Sequence, residues 1–118
     1  YGVDALVFTG VAGALQPAAS IGDVVVAREL LQHDMDASPL FPRHEVPLTG
    51  RSHFPTDADL SDALARAARD ALEAERIGLD SSFAALGIDR PRVHEGLVVS
   101  GDRFVATSLE RTALRTEL

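Results

Sequence analysis

Three short apolar runs, at residues 3–8, 21–27 and 93–100, each meet a cluster of small or turn-forming residues, and one long amphipathic stretch separates the last two. Runs of this length with β-branched content read as buried strands, closed where glycine and serine allow the backbone to turn. No apolar run exceeds about eight residues, far below the roughly 20 needed to span a bilayer. The order strand, strand, helix, strand, helix defines an α/β chain, and α/β folds place their ligands at strand ends. Two strand ends therefore carry the functional question: Phe8-Thr9-Gly10-Val11-Ala12-Gly13-Ala14, and Leu97-Val98-Val99-Ser100-Gly101-Asp102-Arg103-Phe104-Val105.

With 118 residues the chain is one domain at most. It begins at Tyr1, its one methionine is Met35, and Leu118 falls within a helical pattern, so the expectation is an internal portion of a longer protein. The first run lacks a basic leader and a cleavage site, which argues against a signal peptide. The absence of cysteine excludes a disulfide scaffold and thiol catalysis and suits a reducing compartment, so a cytoplasmic protein is expected. Net charge is −7, and all eleven basic residues are arginines scattered without a run or stripe, which argues against nucleic-acid binding.

Along the chain, residues 4–9 read as a strand ending at Gly10 and Gly13, and residues 21–27 as a second strand after the loop Gln16-Pro17-Ala18-Ala19-Ser20. Residues 28–35 fit a continuation of that strand better than a helix, because Asp34, Asp36 and Pro39 interrupt helical spacing. Residues 36–55 form a long proline-rich loop with Leu40, Phe41, Val46, Leu48 and Phe54 between its prolines, a composition that suits an interface. Thr56 is the expected N-cap of a helix whose apolar stripe is Leu60, Leu64, Ala67, Ala71 and Leu72, with Gly78 as its stop. Residues 80–89 read as loop with a turn or two of helix. Residues 93–100 form the third strand, and Thr107-Ser108-Leu109-Glu110 is a capping box that opens a second helix.

The residues alone leave several chemistries open. His33-Asp34-Met35-Asp36 contains metal-ligand types, but its spacing matches no closed site, and a polar strand end or interface accounts for it. No Ser/His/Asp triad is present: Ser100 lacks the nucleophile-elbow pattern, and His94 reads as a partly buried packing residue. The glycine turn at residues 9–14 has the small residues of a phosphate cradle but not the lysine and hydroxyl of a P-loop. Two arrangements fit Gly101-Asp102-Arg103-Phe104-Val105: a flat ring stacked on Phe104 with the Val105 peptide on its edge, or a core Phe104 with Asp102 capping the next turn.

Taken together and in order, these segments resemble the nucleoside phosphorylase superfamily, and within it the 5′-methylthioadenosine/S-adenosylhomocysteine nucleosidases. Thr9-Gly10-Val11-Ala12-Gly13 resembles the family's glycine turn and Ile21-Gly22-Asp23-Val24-Val25-Val26 its next strand. His33-Asp34-Met35-Asp36 is similar to the segment that follows, and Val99-Ser100-Gly101-Asp102-Arg103-Phe104-Val105 to the base-binding turn. The resemblance implies part of a three-layer α/β/α nucleoside-phosphorylase-like fold with a mixed central sheet, residues 1–118 being an internal portion of one domain. It implies hydrolysis of an N-glycosidic bond with release of adenine in methionine salvage, through an oxocarbenium-like ribosyl cation, and no cofactor or metal. Substrate-binding residues would be Val11, Ala12, Gly13, Ala37, Phe104 and Val105. Leu40, Phe41 and Pro47 would enter a neighbouring subunit's pocket, making a homodimer through the 36–55 loop.

Within that resemblance, phosphorylases of the hexameric kind bind phosphate through an arginine and a serine at positions occupied here by Phe8 and Val11. An apolar pair cannot pair a buried dianion, so water is the expected nucleophile. Val11 also departs from nucleosidases that carry serine or threonine there. The family's catalytic acid, its ribose-binding Met-Glu segment and its water-activating glutamate have no counterpart in these 118 residues, so no catalytic residue is assigned and the chain alone is expected to be inactive. A futalosine hydrolase, a nucleoside phosphorylase or a catalytically silent nucleoside-binding homologue are the alternatives.

Overall fold

The computed structural model describes residues 2–74, 83–88 and 90–118. Strand β1 (Val24–Gln32) is central to a mixed sheet, flanked by β2 (His53–Pro55) and β3 (Val93–Ser100) in the order β2-β1-β3. β1 pairs with β3 in parallel, Val24 opposite Val93 and Gln32 opposite Ser100, and with β2 antiparallel, Leu30 opposite Phe54. Parallel neighbours need a crossover, and helix α1 (Ala58–Ala74) supplies it by packing on β1 and β3. Helix α2 (Ser108–Glu117) follows β3 and buries Leu114. Among the described residues no helix is long and apolar enough to cross a membrane.

The mixed α/β sheet matches expectation, and β3 and the Thr107 capping box sit where the local pattern puts them. Strand β1 begins at Val24 instead of Ile21, because Gly22 takes φ 94° and Asp23 folds back to bond the Ser20 amide (2.9 Å). A Cβ on Gly22 would lie 2.8 Å from Ile88 Cγ2, so the turn demands glycine. At its other end β1 continues through Gln32, as the extended reading of residues 28–35 anticipates. Residues 53–55, read as loop, close the 36–55 segment as edge strand β2, where Pro55 is tolerated because an edge position needs no donated bond.

The expected strand at residues 4–9 does not form. The segment runs without a ladder partner among the described residues, leaving Leu6 and Phe8 exposed, and a lone strand is not stable in water. The stripe expected on α1 is also shifted. The buried residues are Ser61 and Ala65, with Ala68 and Leu72 half-buried behind them, while Leu60 and Leu64 face outward. Small side chains let the helix approach a bulge in β1 between Ala27 and Glu29. There the Thr56 hydroxyl reaches the Ala27 and Arg28 carbonyls (3.0 and 3.2 Å) and Ser61 Oγ (2.9 Å). Thr56 is thus spent on the bulge, and Asp57 caps α1 through the Leu60 amide (2.9 Å). The stop assigned to Gly78 lies outside the described residues. In the 80–89 stretch the described part contains one helical turn, at 83–85.

Ion pairs tie the layers together: Arg28 reaches Asp62 on α1 (2.6 Å) and Glu95 on β3, which Arg69 also grips. Among the described residues the buried apolar core comprises Val26, Leu31, Ala65 and Leu114. The radius of gyration of 16.8 Å exceeds the roughly 13.5 Å of a self-contained domain of this length.

At the opposite end of the sheet from the strand ends singled out above, Asp23 joins β1 to β3. Its side chain, 3% exposed, accepts from His94 Nε2 (2.7 Å) and the Arg92 amide (2.8 Å). His94 is therefore a paired residue, not simply a packing one. Burial pushes the Asp23 carboxyl up, but the Ser20 amide, the His94 ring and the Arg92 amide outweigh it and hold the group below its ordinary range. A depressed carboxyl stabilises the fold above its unfolded value of about 3.9, and that contribution is lost as pH falls through the depressed value. In urea titrations of the full-length protein, Asp23→Asn should lower stability at neutral pH and flatten the fall in stability below pH about 4.

Candidate functional site

The parallel pair β1/β3 delivers two chain segments to the same edge of the sheet. Past Gln32 the His33 amide donates to the Ser100 carbonyl (2.8 Å), extending the ladder one step. Asp34 then turns its carboxylate across the gap, where Oδ2 accepts from the amides of Asp102 (2.6 Å) and Arg103 (2.8 Å). The Arg103 amide holds the Asp34 carboxyl below its ordinary range, against a partial desolvation that raises it and with help from the Asp102 amide. Gly101 makes this approach possible. A Cβ there would sit 2.5 Å from Asp34 Oδ1 and 2.7 Å from His33 Nε2. Read as a polar strand end, this segment is now specific: the carboxylate is a backbone anchor. Among the described residues no three His, Cys, Asp or Glu side chains converge as a metal site.

A second carboxylate holds the far side of the same turn. Glu110, at the third position of α2, accepts from the amides of Ala106 (3.2 Å) and Thr107 (3.0 Å) and from the Thr107 hydroxyl (2.8 Å). The Thr107 hydroxyl in turn accepts from the Glu110 amide (3.1 Å), completing the capping box. The Thr107 side chain and amide keep the Glu110 carboxyl depressed. Between the two anchors the N–H and C=O groups of Phe104 and Val105 have no hydrogen-bond partner among the described residues. Phe104 is 89% exposed and Val105 is half-buried. The exposure of Phe104 does not fit the arrangement with that residue in the core, and Thr107, not Asp102, caps α2. What remains is an open ring face beside two adjacent free peptide groups.

The other expected site residues are placed less closely. Val11, Ala12 and Gly13 lie exposed on an irregular segment with no hydrogen bond to the 101–105 turn among the described residues. Phe8 is 91% exposed. The continuation of that segment nevertheless lies against α2: Ala14, Leu15 and Gln16 line a hollow of about 300 Å³ with Arg111, Thr112 and Arg115. Ala37, half-buried, follows Asp34 and accepts through its carbonyl from the amides of Leu40 (3.1 Å) and Phe41 (3.2 Å). Leu40 is 84% exposed, whereas Phe41 and Pro47 are half-buried. The loop is held by the His44 amide on the Met35 carbonyl (2.9 Å), and by Arg43 and His44 on Glu117 (3.0 and 3.2 Å). Neither Asp34 nor Glu110 is among the expected site residues. Glu110 is legible in its capping box and Asp34 as part of a polar strand end, but the contact of Asp34 with the 101–105 turn has no local signal, because its partners lie 68 and 69 residues away.

The family model described as the phosphorylase superfamily matches residues 1–118. The chain is 32% identical over its full length to a 5′-methylthioadenosine/S-adenosylhomocysteine nucleosidase of Mycobacterium tuberculosis, and spans 48% of that protein. It is 30% identical over 98% of its length to an aminodeoxyfutalosine nucleosidase of Campylobacter jejuni, spanning 42% of that protein. Among solved structures, it is similar to the Neisseria meningitidis 5′-methylthioadenosine/S-adenosylhomocysteine nucleosidase in complex with methylthio-immucillin-A. That match has a TM-score of 0.67 and 31% identity, covering 89% of this chain and 38% of the other. The chain thus spans about half the length, or less, of the relatives it matches. With a family model matched from end to end and the fold shared with solved relatives, this chain belongs to the phosphorylase superfamily.

Proposed function

We propose that the full-length protein hydrolyses the N-glycosidic bond of 5′-methylthioadenosine and S-adenosylhomocysteine, releasing adenine in methionine salvage in the cytoplasm. The observation that carries this reading is the pair of unpartnered peptide groups at Phe104 and Val105 beside an exposed aromatic face. A planar purine can stack on such a ring while one edge takes an N–H donor and a C=O acceptor. Adenine offers that complement, with its ring nitrogen accepting and its amino group donating. The relatives named for nucleosidase activity, and the solved neighbour holding a methylthio nucleoside analogue, support the same class of substrate.

In this reading Val11, Ala12 and Gly13 line the ribose and base, and Ala37 stands near the sugar. Phe8 and Val11 offer no charge to a phosphate, which favours water as the nucleophile. The groups that protonate the purine and activate the water are supplied from outside these 118 residues. Leu40, Phe41 and Pro47 reach a neighbouring subunit in a homodimer through the 36–55 loop; the exposure of Leu40 supports that role. The 30% identity to an aminodeoxyfutalosine nucleosidase favours a second reading, in which the same base site serves a futalosine-type nucleoside.

The test is adenine release from 5′-methylthioadenosine by the full-length protein, with and without inorganic phosphate. Equal rates are expected in both conditions; release that required phosphate would make the protein a phosphorylase. An aminodeoxyfutalosine arm separates the two nucleosidase readings by kcat/KM. Phe104→Ala should weaken base binding by about 1–3 kcal/mol, seen as a higher KM for the nucleoside. An unchanged KM would remove Phe104 from the site.

A further inference from the structure

The 101–107 turn is held from both sides by carboxylates, and the pattern of what they hold is selective. Asp34 takes the amides of Asp102 and Arg103, and Glu110 takes those of Ala106 and Thr107. Between those two pairs stand the amides of Phe104 and Val105, which have no partner among the described residues. We propose that Asp34 and Glu110 are positioning residues for purine recognition, clamping the turn at its two ends so that the Phe104 and Val105 peptides stand free in a fixed orientation. The proposal rests on the reading of this turn as a base site.

Three physical points carry it. An ionised carboxylate is an acceptor only, so it gathers amides without offering a competing donor, and one Asp34 oxygen collects two of them. Bonds from amides to a charged oxygen are the stronger kind, and the Asp34 contacts are short. Free peptide groups on an unanchored turn would have to be ordered on binding, which subtracts directly from affinity. Gly101 makes the Asp34 anchor possible, since any side chain there would meet that carboxylate. The anchor also joins the site to the 36–55 loop, because Met35, next to Asp34, receives the His44 amide.

The test uses the full-length protein and two probes, adenine and 5-methylthioribose, which report the base and sugar halves of the site separately. Asp34→Asn keeps the shape but removes the charge and one of the two acceptor oxygens. It should raise the Kd for adenine about tenfold, leave that for 5-methylthioribose within twofold, and move the Asp102 and Arg103 amide protons upfield in NMR spectra. Glu110→Gln, a milder change, should raise the adenine Kd in the same direction and move the Ala106 and Thr107 amides instead. Equal weakening of both probes would assign Asp34 a general structural role and overturn the proposal, as would an unchanged adenine Kd. If the wild-type protein bound no adenine, the base-site reading would fall and the positioning role with it. The amide shifts would then still show whether the clamp exists.

Discussion

A single carboxylate oxygen joins the two halves of this site. Asp34 Oδ2 receives the amides of Asp102 and Arg103, linking the end of β1 to the turn after β3 where the parallel ladder stops. Without that oxygen the Asp102 and Arg103 amides lose their acceptor, while the far side of the turn stays bonded to Glu110 on α2. The glycine at 101 is a consequence of this contact, because the carboxylate occupies the space a side chain would need. Specific sequence choices at three places, Asp34, Gly101 and Glu110, thus serve one backbone geometry.

The rest of the fold brings those places into register. Parallel pairing of β1 and β3 requires a crossover, and α1 provides it by resting small residues, Ser61 and Ala65, on the bulge in β1. The Arg28–Asp62–Glu95–Arg69 cluster lies over that contact. Its members are partly exposed, so its worth is orientation more than stability. The Asp23–His94 pair fixes the other end of the same two strands. With both ends of the β1/β3 pair bridged by a carboxylate, the strand ends cannot slide relative to one another without breaking charged hydrogen bonds.

What could be read from the residues divides along the reach of the interactions. The Thr107–Glu110 capping box and β3 were legible because their signals are local: a three-residue spacing, and a run of apolar side chains. The seat of α1 lies one position from its most apolar stripe, since hydrophobicity favours Leu60 and Leu64 while the bulge selects the small side chains Ser61 and Ala65. Residues 4–9 have a strand's composition but no ladder partner among the described residues, and pairing is not a property of one segment. Phe104 and Val105 stood out by type and by resemblance. Their distinguishing feature, being left unbonded between two anchors, depends on Asp34, which is 68 residues from its first partner.

In the proposed base site the free peptides of Phe104 and Val105 meet the edge of an adenine ring. Amide NMR of the full-length protein during adenine titration checks this contact residue by residue. The Phe104 and Val105 amides should shift on binding, while those of Asp102, Arg103, Ala106 and Thr107, already bonded to carboxylates, should move little. Saturable adenine binding that left the Phe104 and Val105 signals in place would place the purine elsewhere and remove the base site from this turn.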